Sequence, residues 1–493
     1  MKKVFFILLF GMILFFAGCS KDRISNQASP EMWNREGSVA TRGYSEEENH
    51  PDYSVSQEMV ESFIHYTSKT NKTHYSITTY PSEENPVLYV VNFEEGWKII
   101  PGDSRFGLVL AESATGHVNV SEITDNPGFR LWIEEYQNQI ESARGRIIGG
   151  SKANGSARIW DSFRAPQAKD SMVLGKNLRD RGMMWGKINF QSNTVIDTTG
   201  YKAPLLQTKW GQGNPWYISM PERDGYKCLT GCAAVAVSQI LYFFHSQQSM
   251  PSGLYGTVSL SGTTTHYEGP IPYYTISVSR SNFTYNSSLW NNMPLDSTVP
   301  NPTGFKNVSD LMLDVGARLN LHYSPYNTYV EKDTLGFFNT MPCKVSGTWA
   351  PYSMAALAPV VSSLDSNKPV IAAAIHSSNG SGHTWVIDGY LLEEVTTTNT
   401  YEWWPVNMIP AGTVVYEYKD VNELLVQYNY MIYQGMPEVT ETSDFYRLYH
   451  MNWGADGQGD GYASVGSPYN HWQGYTNNIV VQLNLVADEF TVN

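Results

Sequence analysis

Cysteine is scarce in this chain. Its 493 residues include four, Cys19, Cys228, Cys232 and Cys343, far too few for a disulfide scaffold. Basic residues are also short, 33 Lys and Arg against 47 Asp and Glu, for a formal charge of −14. That balance argues against nucleic-acid binding, which needs a basic footprint, and otherwise favours solubility. Beyond the first twenty residues no stretch is long and apolar enough to span a bilayer. What the chain does have is 42% hydrophobic and 13% aromatic residues, ample for packed cores, and a length that suggests two or three domains.

The N-terminus accounts for one cysteine. "MKKVFFILLFGMILFFAGCS" has two lysines, a short apolar stretch and small residues, the pattern of a secretory signal. Its "FAGC" ending resembles the lipobox of bacterial lipoproteins, which implies a lipid anchor at Cys19 as the one membrane attachment. Residues 1–19 are therefore expected to be a lipoprotein-type signal peptide and 20–50, polar and without periodicity, a flexible tether. The chain is expected to be exported to a bacterial cell surface or outer membrane, with release beyond it as a further outcome.

Order is expected from about residue 51. Val55, Met59, Val60, Phe63 and Ile64 share one helical face, "PVLYVVNF" and "GWKIIPGDSR" read as strands and a turn, and Phe129, Trp132, Ile133, Tyr136 and Ile140 recur at helical spacing. Residues 51–142 thus form a small α+β domain. The glycine-rich, basic "ARGRIIGGSKANGSAR" follows, and 143–200 reads as an exposed, cleavable linker. A small domain, a linker and a large domain from 201 to 493 give the order a zymogen needs.

In the large domain, Gly231 and Cys232 open "CAAVAVSQIL", apolar nearly all round, as in a buried helix. Taken alone, Cys232 is either one more small core residue or a thiol placed where a helix start stabilises its anion. A thiol nucleophile needs a base, and of eleven histidines His383 in "NGSGHTWVIDGY" opens a strand pattern beside glycines. A third group must orient that base; Asn452 can accept from an imidazole N–H and Trp453 can shield the bond, both ahead of the glycine loop in "YHMNWGADGQGDGY". Gln212, between two glycines in "GQGNPW", reads on its own as a loop residue. Cys228 and Cys232 have half of a metal-site spacing, but no matching pair follows; a bridge between Cys228 and Cys343 stays open.

With "GQGNPW", "TGCAAVAVSQI", "GHTWVIDG" and "HMNWG" in this order, the chain resembles the streptopain family of bacterial papain-like cysteine proteases. "LMLDVG" with "HYSP" adds a shorter likeness, and "VVNFEEGWKIIPGDSR" resembles the family's inhibitory propeptide. The resemblance implies an α+β fold: a papain-like domain, with a helical half carrying Cys232 and an antiparallel sheet half carrying His383, behind a small α+β propeptide at 51–142. It also implies Cys232 as nucleophile, His383 as general base and acid, and Gln212 with the Cys232 N–H as oxyanion donors. Trp453 and Asn452 support His383, and no metal or organic cofactor is called for. The implied partners are protein or peptide substrates and the chain's own propeptide. The alternative is a catalytically idle homologue that binds protein or peptide through the same cleft.

The chain departs from the family where Ala455 replaces a tryptophan and the following loop is longer. Two segments, near 251–300 and 391–448, look inserted. The second holds "YEWWPVNM" and "GTVVYEYKD" and reads as a lid, a hairpin or a binding surface.

Overall fold

The computed structural model describes residues 17–18, 53–67, 74–145, 155–163, 184–246, 258–266, 274–283, 287–330, 348–351, 354–375, 382–409, 415–420, 438–464 and 480–483. The tether at 20–50, Cys19, most of the signal segment and Cys343 lie outside them. Cys228 is a free, buried thiol, and burial pushes its pKa up to about 11 despite the positive charges of Arg223 and Lys227.

The N-terminal domain is built from helix α1 (Gln57–Thr67), strands β1 (Tyr75–Tyr80), β2 (Leu88–Phe93), β3 (Trp97–Pro101) and β4 (Ala111–Ser113), and helix α2 (Pro127–Arg144). Most positions that the spacing selects are buried: Met59, Val60, Phe63 and Ile64 in α1, with Val55 buried just before it, and Phe129, Ile133, Tyr136 and Ile140 in α2, where Trp132 is half-buried. Asn126 starts α2, its side chain accepting from the Phe129 N–H at 3.0 Å, with Pro127 in the first turn where its missing N–H costs nothing. In "GDSR", buried Asp103 accepts from Arg105 Nε at 2.9 Å and from Nη2 at 2.6 Å.

The large domain has two halves. The helical half centres on α4 (Cys232–Ser246) and α5 (Pro302–Leu319), packed in one core with Trp210, Trp216 and Met220. Gly231 precedes α4 at φ +86, and a Cβ there would press on the Thr328 and Leu321 side chains, so glycine suits both the turn and the space. Helix α6 (Met354–Asp365) leads into the sheet half, formed by β6 (Val370–Ile375), β7 (Gly382–Pro405), β8 (Val415–Asp420), β9 (Glu438–Asn452) and β10 (Gly461–Ser464). β6, β7, β9 and β10 pair antiparallel in that order. This is the helical half and antiparallel sheet half expected from the sequence.

Two features were not anticipated. The sheet of the N-terminal domain continues that of the large domain, because β10 pairs with β4 at Tyr462–Glu112 and Ala463–Ala111. The segment expected as a linker, 143–200, also carries regular structure. Helix α3 (Gly155–Phe163) packs Ile159, Trp160 and Phe163 into a core shared with α1, β7 and β9. Strand β5 (Met184–Lys202) pairs along β7 from Tyr390–Lys202 to Pro405–Trp185, and with β8. The outer part of β7, paired with β9 on one side, would otherwise present a long row of unmet backbone groups, which β5 satisfies. The described residues of the 391–448 segment continue β7 and β9 into an arm, on which Ile188, Val406, Ile409 and Val415 form a small core of their own. The 251–300 segment holds a hairpin, Val258–His266 with Tyr274–Phe283.

Candidate active site

Cys232 is the first residue of α4 and is 2% exposed. The first N–H groups of a helix have no partner within it, so this position favours a thiolate. Two residues earlier the Thr230 N–H donates to the Gln212 carbonyl at 3.1 Å, which ties the 210–217 loop to the helix start. That loop folds on itself through Trp216 and Tyr217 N–H groups donating to the Gly213 carbonyl. It is also fastened to the 454–460 loop by the Trp216 indole N–H on the Asp456 carboxylate. Asp456, in the loop that follows Ala455, thus anchors the 210–217 loop.

His383 is fully buried at the start of β7. Its Nε2–H donates to the main-chain carbonyl of Trp453 at 2.7 Å. With the proton on Nε2, the lone pair of the neutral ring lies on Nδ1, the tautomer a base needs if Nδ1 faces the thiol. Trp385 lies nearly parallel to the imidazole, at 6.2 Å and 12°, and packs on Trp453 at 5.2 Å. Gly454, next after Trp453, meets Val235 in the first turn of α4. A short run of contacts therefore joins His383, Trp453 and Gly454 to the turn that Cys232 opens.

Asn452 does not play the part expected of its side chain. Its Oδ1 accepts from Gln239 Nε2 at 2.9 Å and from the Gly454 N–H at 3.3 Å, and its Nδ2 donates to the Thr208 carbonyl at 2.8 Å. The imidazole is given instead to the adjacent main chain. A carbonyl accepts as well as an amide oxygen does, and it leaves no mark in the sequence. Trp385 was also missed, though it sits two residues beyond His383 on the same face of a strand.

Beside Trp453 lies a charge cluster of buried Asp388 with part-buried His450 and Asp460. Asp460 accepts from the Trp453 N–H at 2.9 Å, and burial pushes its carboxyl up to about 7 against the pull of His450. His450 Nδ1 donates to Asp388 at 2.6 Å. Burial acts to lower the His450 pKa, but the Asp388 charge and hydrogen bond, with Asp460, raise it overall.

The N-terminal domain reaches this site directly. Gly128, in the first turn of α2, lies so close that a Cβ there would overlap the His383 ring and the Trp453 indole. Phe129 packs beside Trp453 at 6.2 Å, Asn126 Nδ2 donates to the Gln458 carbonyl at 2.6 Å, and Trp132 and Tyr136 both bond Ser464. The seam is not filled throughout: a cavity of about 370 Å³ lies between Trp97 and His117 on one side and Lys209, His450 and Asp460 on the other.

Comparison with known proteins gives two family matches, the peptidase C10 family over residues 210–463 and the Spi protease inhibitor over residues 53–140. The thiol protease/hemagglutinin PrtT of Porphyromonas gingivalis is 25% identical over 325 residues, 62% of this chain and 32% of that protein. The chain thus spans about a third of that relative's length. Among solved structures, a fragment of Prevotella intermedia prointerpain A aligns with TM-score 0.49 at 17% identity, covering 84% of this chain and 99% of that one. Active interpain A from the same organism aligns with TM-score 0.38 at 20% identity, covering 59% and 96%.

Proposed function

We propose, for a chain that belongs to the peptidase C10 family and carries an inhibitor-type propeptide ahead of its catalytic domain, that it is the exported zymogen of a cysteine endopeptidase working through Cys232 and His383. The observation that carries this reading is a buried histidine whose Nε2–H is held by the Trp453 carbonyl and on whose ring Gly128 of the propeptide sits, in a domain that also starts a buried helix with a cysteine.

The chemistry follows from those positions. His383 takes the thiol proton, and the Cys232 sulfur attacks the carbonyl carbon of a peptide bond. The resulting oxyanion is met by the Cys232 N–H and the Gln212 side-chain amide; losing one such donor typically costs about 10²–10³ in turnover. As the C–N bond breaks, His383 returns its proton to the leaving amine. Water, deprotonated by His383, then attacks the thioester and releases the acid and the thiol. Asn452 and Trp453 act behind the pair: Trp453 holds and covers the imidazole, and Asn452 holds the strand end that carries Trp453.

In the uncleaved chain α2 covers the imidazole, so substrate cannot approach until the propeptide leaves. Export rests on the N-terminal signal pattern and the anchor on Cys19 after Ala17-Gly18; a palmitate label that incorporates into wild type and not into Cys19→Ser tests the anchor. For the activity, the full chain and Cys232→Ala are incubated under reducing conditions and followed by mass. Wild type is expected to shed its N-terminal domain and the variant to stay whole. Normal processing of the pure variant would remove self-cleavage from the account.

A further inference from the structure

We infer that Gln239 is a positioning residue that pins together the three segments carrying Cys232, Gln212 and the carbonyl acceptor of His383. The inference rests on the thiol-protease reading above and deepens it.

Gln239 lies seven residues beyond Cys232 on α4, which is two helical turns and therefore the same face. It is completely buried, and its two partners, Thr208 and Asn452, are 2% and 3% exposed. The three close a ring. Gln239 Oε1 accepts from Thr208 Oγ1 at 2.9 Å and more weakly from the Trp210 N–H at 3.4 Å. Gln239 Nε2 donates to Asn452 Oδ1 at 2.9 Å, and Asn452 Nδ2 donates back to the Thr208 carbonyl at 2.8 Å.

Each corner belongs to a different working part. α4 presents Cys232, Thr208 and Trp210 run straight into Gly211 and Gln212, and Asn452 precedes Trp453, whose carbonyl holds His383. The helical half and the sheet half also meet here through apolar packing and through the Trp216 indole on Asp456, which lies on the far side of the 210–217 loop. A closed ring of amide hydrogen bonds has direction and fixes the register. An apolar residue at 239 fills the same volume but leaves buried Asn452 and Thr208 atoms short of a partner. The halves then settle at a different offset, and a 1 Å misplacement of reacting groups costs on the order of 10²-fold in rate.

The test uses the full chain, matured by itself or, where a variant cannot, by a trace of wild-type enzyme. kcat, KM, pH profile and unfolding midpoint are measured for wild type, Gln239→Leu, Gln239→Glu and Thr208→Val on one peptide substrate. Gln239→Leu is expected to lose about a hundredfold in kcat with KM little changed. Thr208→Val, which removes one hydroxyl donor and keeps the carbonyl, is expected to lose about tenfold. In Gln239→Glu a protonated carboxyl offers one O–H to Asn452 Oδ1 and one oxygen to Thr208. Its kcat relative to wild type should therefore climb toward acid pH, a recovery that loss of packing alone does not produce. If Gln239→Leu fails to fold, the other two variants decide. A folded Gln239→Leu with kcat within about threefold of wild type overturns the inference, as does Gln239→Glu whose ratio to wild type is flat with pH. Wild type that neither cleaves peptide nor is labelled at Cys232 is a different outcome: it overturns the protease reading and this inference with it.

Discussion

Two segments that precede the catalytic domain join its sheet, and they join it differently. The propeptide enters through β4, which meets β10 at Tyr462–Glu112 and Ala463–Ala111. β5 runs beside β7 from Tyr390–Lys202 to Pro405–Trp185. The first contact is short in backbone pairing, and side chains of α2 on Trp453, Gln458 and Ser464 reinforce it. The second is a long ladder with register shifts at Leu392/Glu393 and Thr400/Tyr401. Cutting the covalent link is expected to free the first, whose backbone pairing is short although it shares apolar cores with the large domain, and to leave the second in place, because its departure exposes a long edge to water or to another chain. Sequence order alone places both segments ahead of the large domain; pairing divides them into one part expected to leave and one expected to stay.

The largest expected effect tests that division. Hydrogen exchange on the matured product should find β5 amides protected, with the product's N-terminus upstream of Met184 and β1–β4 gone. A product that starts near Ala203 and keeps full stability would erase the distinction. Next, the seal: Gly128→Val drives a side chain into His383 and Trp453, and overpacking of this kind costs about 1–3 kcal/mol. The uncleaved variant should react at Cys232 with a thiol-directed peptide electrophile roughly 10–100-fold faster than uncleaved wild type, the rate equivalent of that cost.

Asp460 gives a pH-dependent effect at the same seam. Its carboxyl sits at about 7 in the folded chain, against about 4 unfolded, so the folded state binds this proton more tightly. Its contribution therefore falls as pH rises from about 4 to about 7, and the penalty is complete above that. Asp460→Asn keeps an acceptor for the Trp453 N–H without the charge. Denaturant unfolding should find it more stable than wild type by about 1–3 kcal/mol at pH 8, with the two converging near pH 4. Smallest is Tyr136→Phe, which removes the 2.7 Å bond to Ser464 and should weaken propeptide docking by about 0.5–1.5 kcal/mol, read as a modest rise in Cys232 labelling of the uncleaved chain.

Much of this architecture was legible because local chemistry carried it. The apolar faces of α1 and α2, the buried character of α4 from Cys232, and the strand opening at His383 each follow from spacing within one segment. β5 was not legible, because its partner β7 lies far along the chain and Thr-rich alternation there reads equally well as linker. The hold on His383 was misplaced by one residue for a different reason. A side-chain amide is visible in a sequence, whereas a main-chain carbonyl is present at every position. Asn452 was singled out as an acceptor for the imidazole, whereas its side chain is taken up by Gln239, Gly454 and Thr208, and Gln239 is one polar residue in an otherwise apolar helix.

The account turns on Cys232 being the working thiol and on the propeptide covering its partner base. Cys228 supplies an internal standard, since it is buried and its pKa is raised to about 11. The measurement is the labelling rate of both cysteines by a thiol-directed peptide electrophile, site by site by mass, before and after maturation. Cys232 is expected to react slowly in the uncleaved chain and rapidly in the mature one, with Cys228 inert in both. Equal rates at Cys232 before and after, or labelling at Cys228 in its place, would contradict the account.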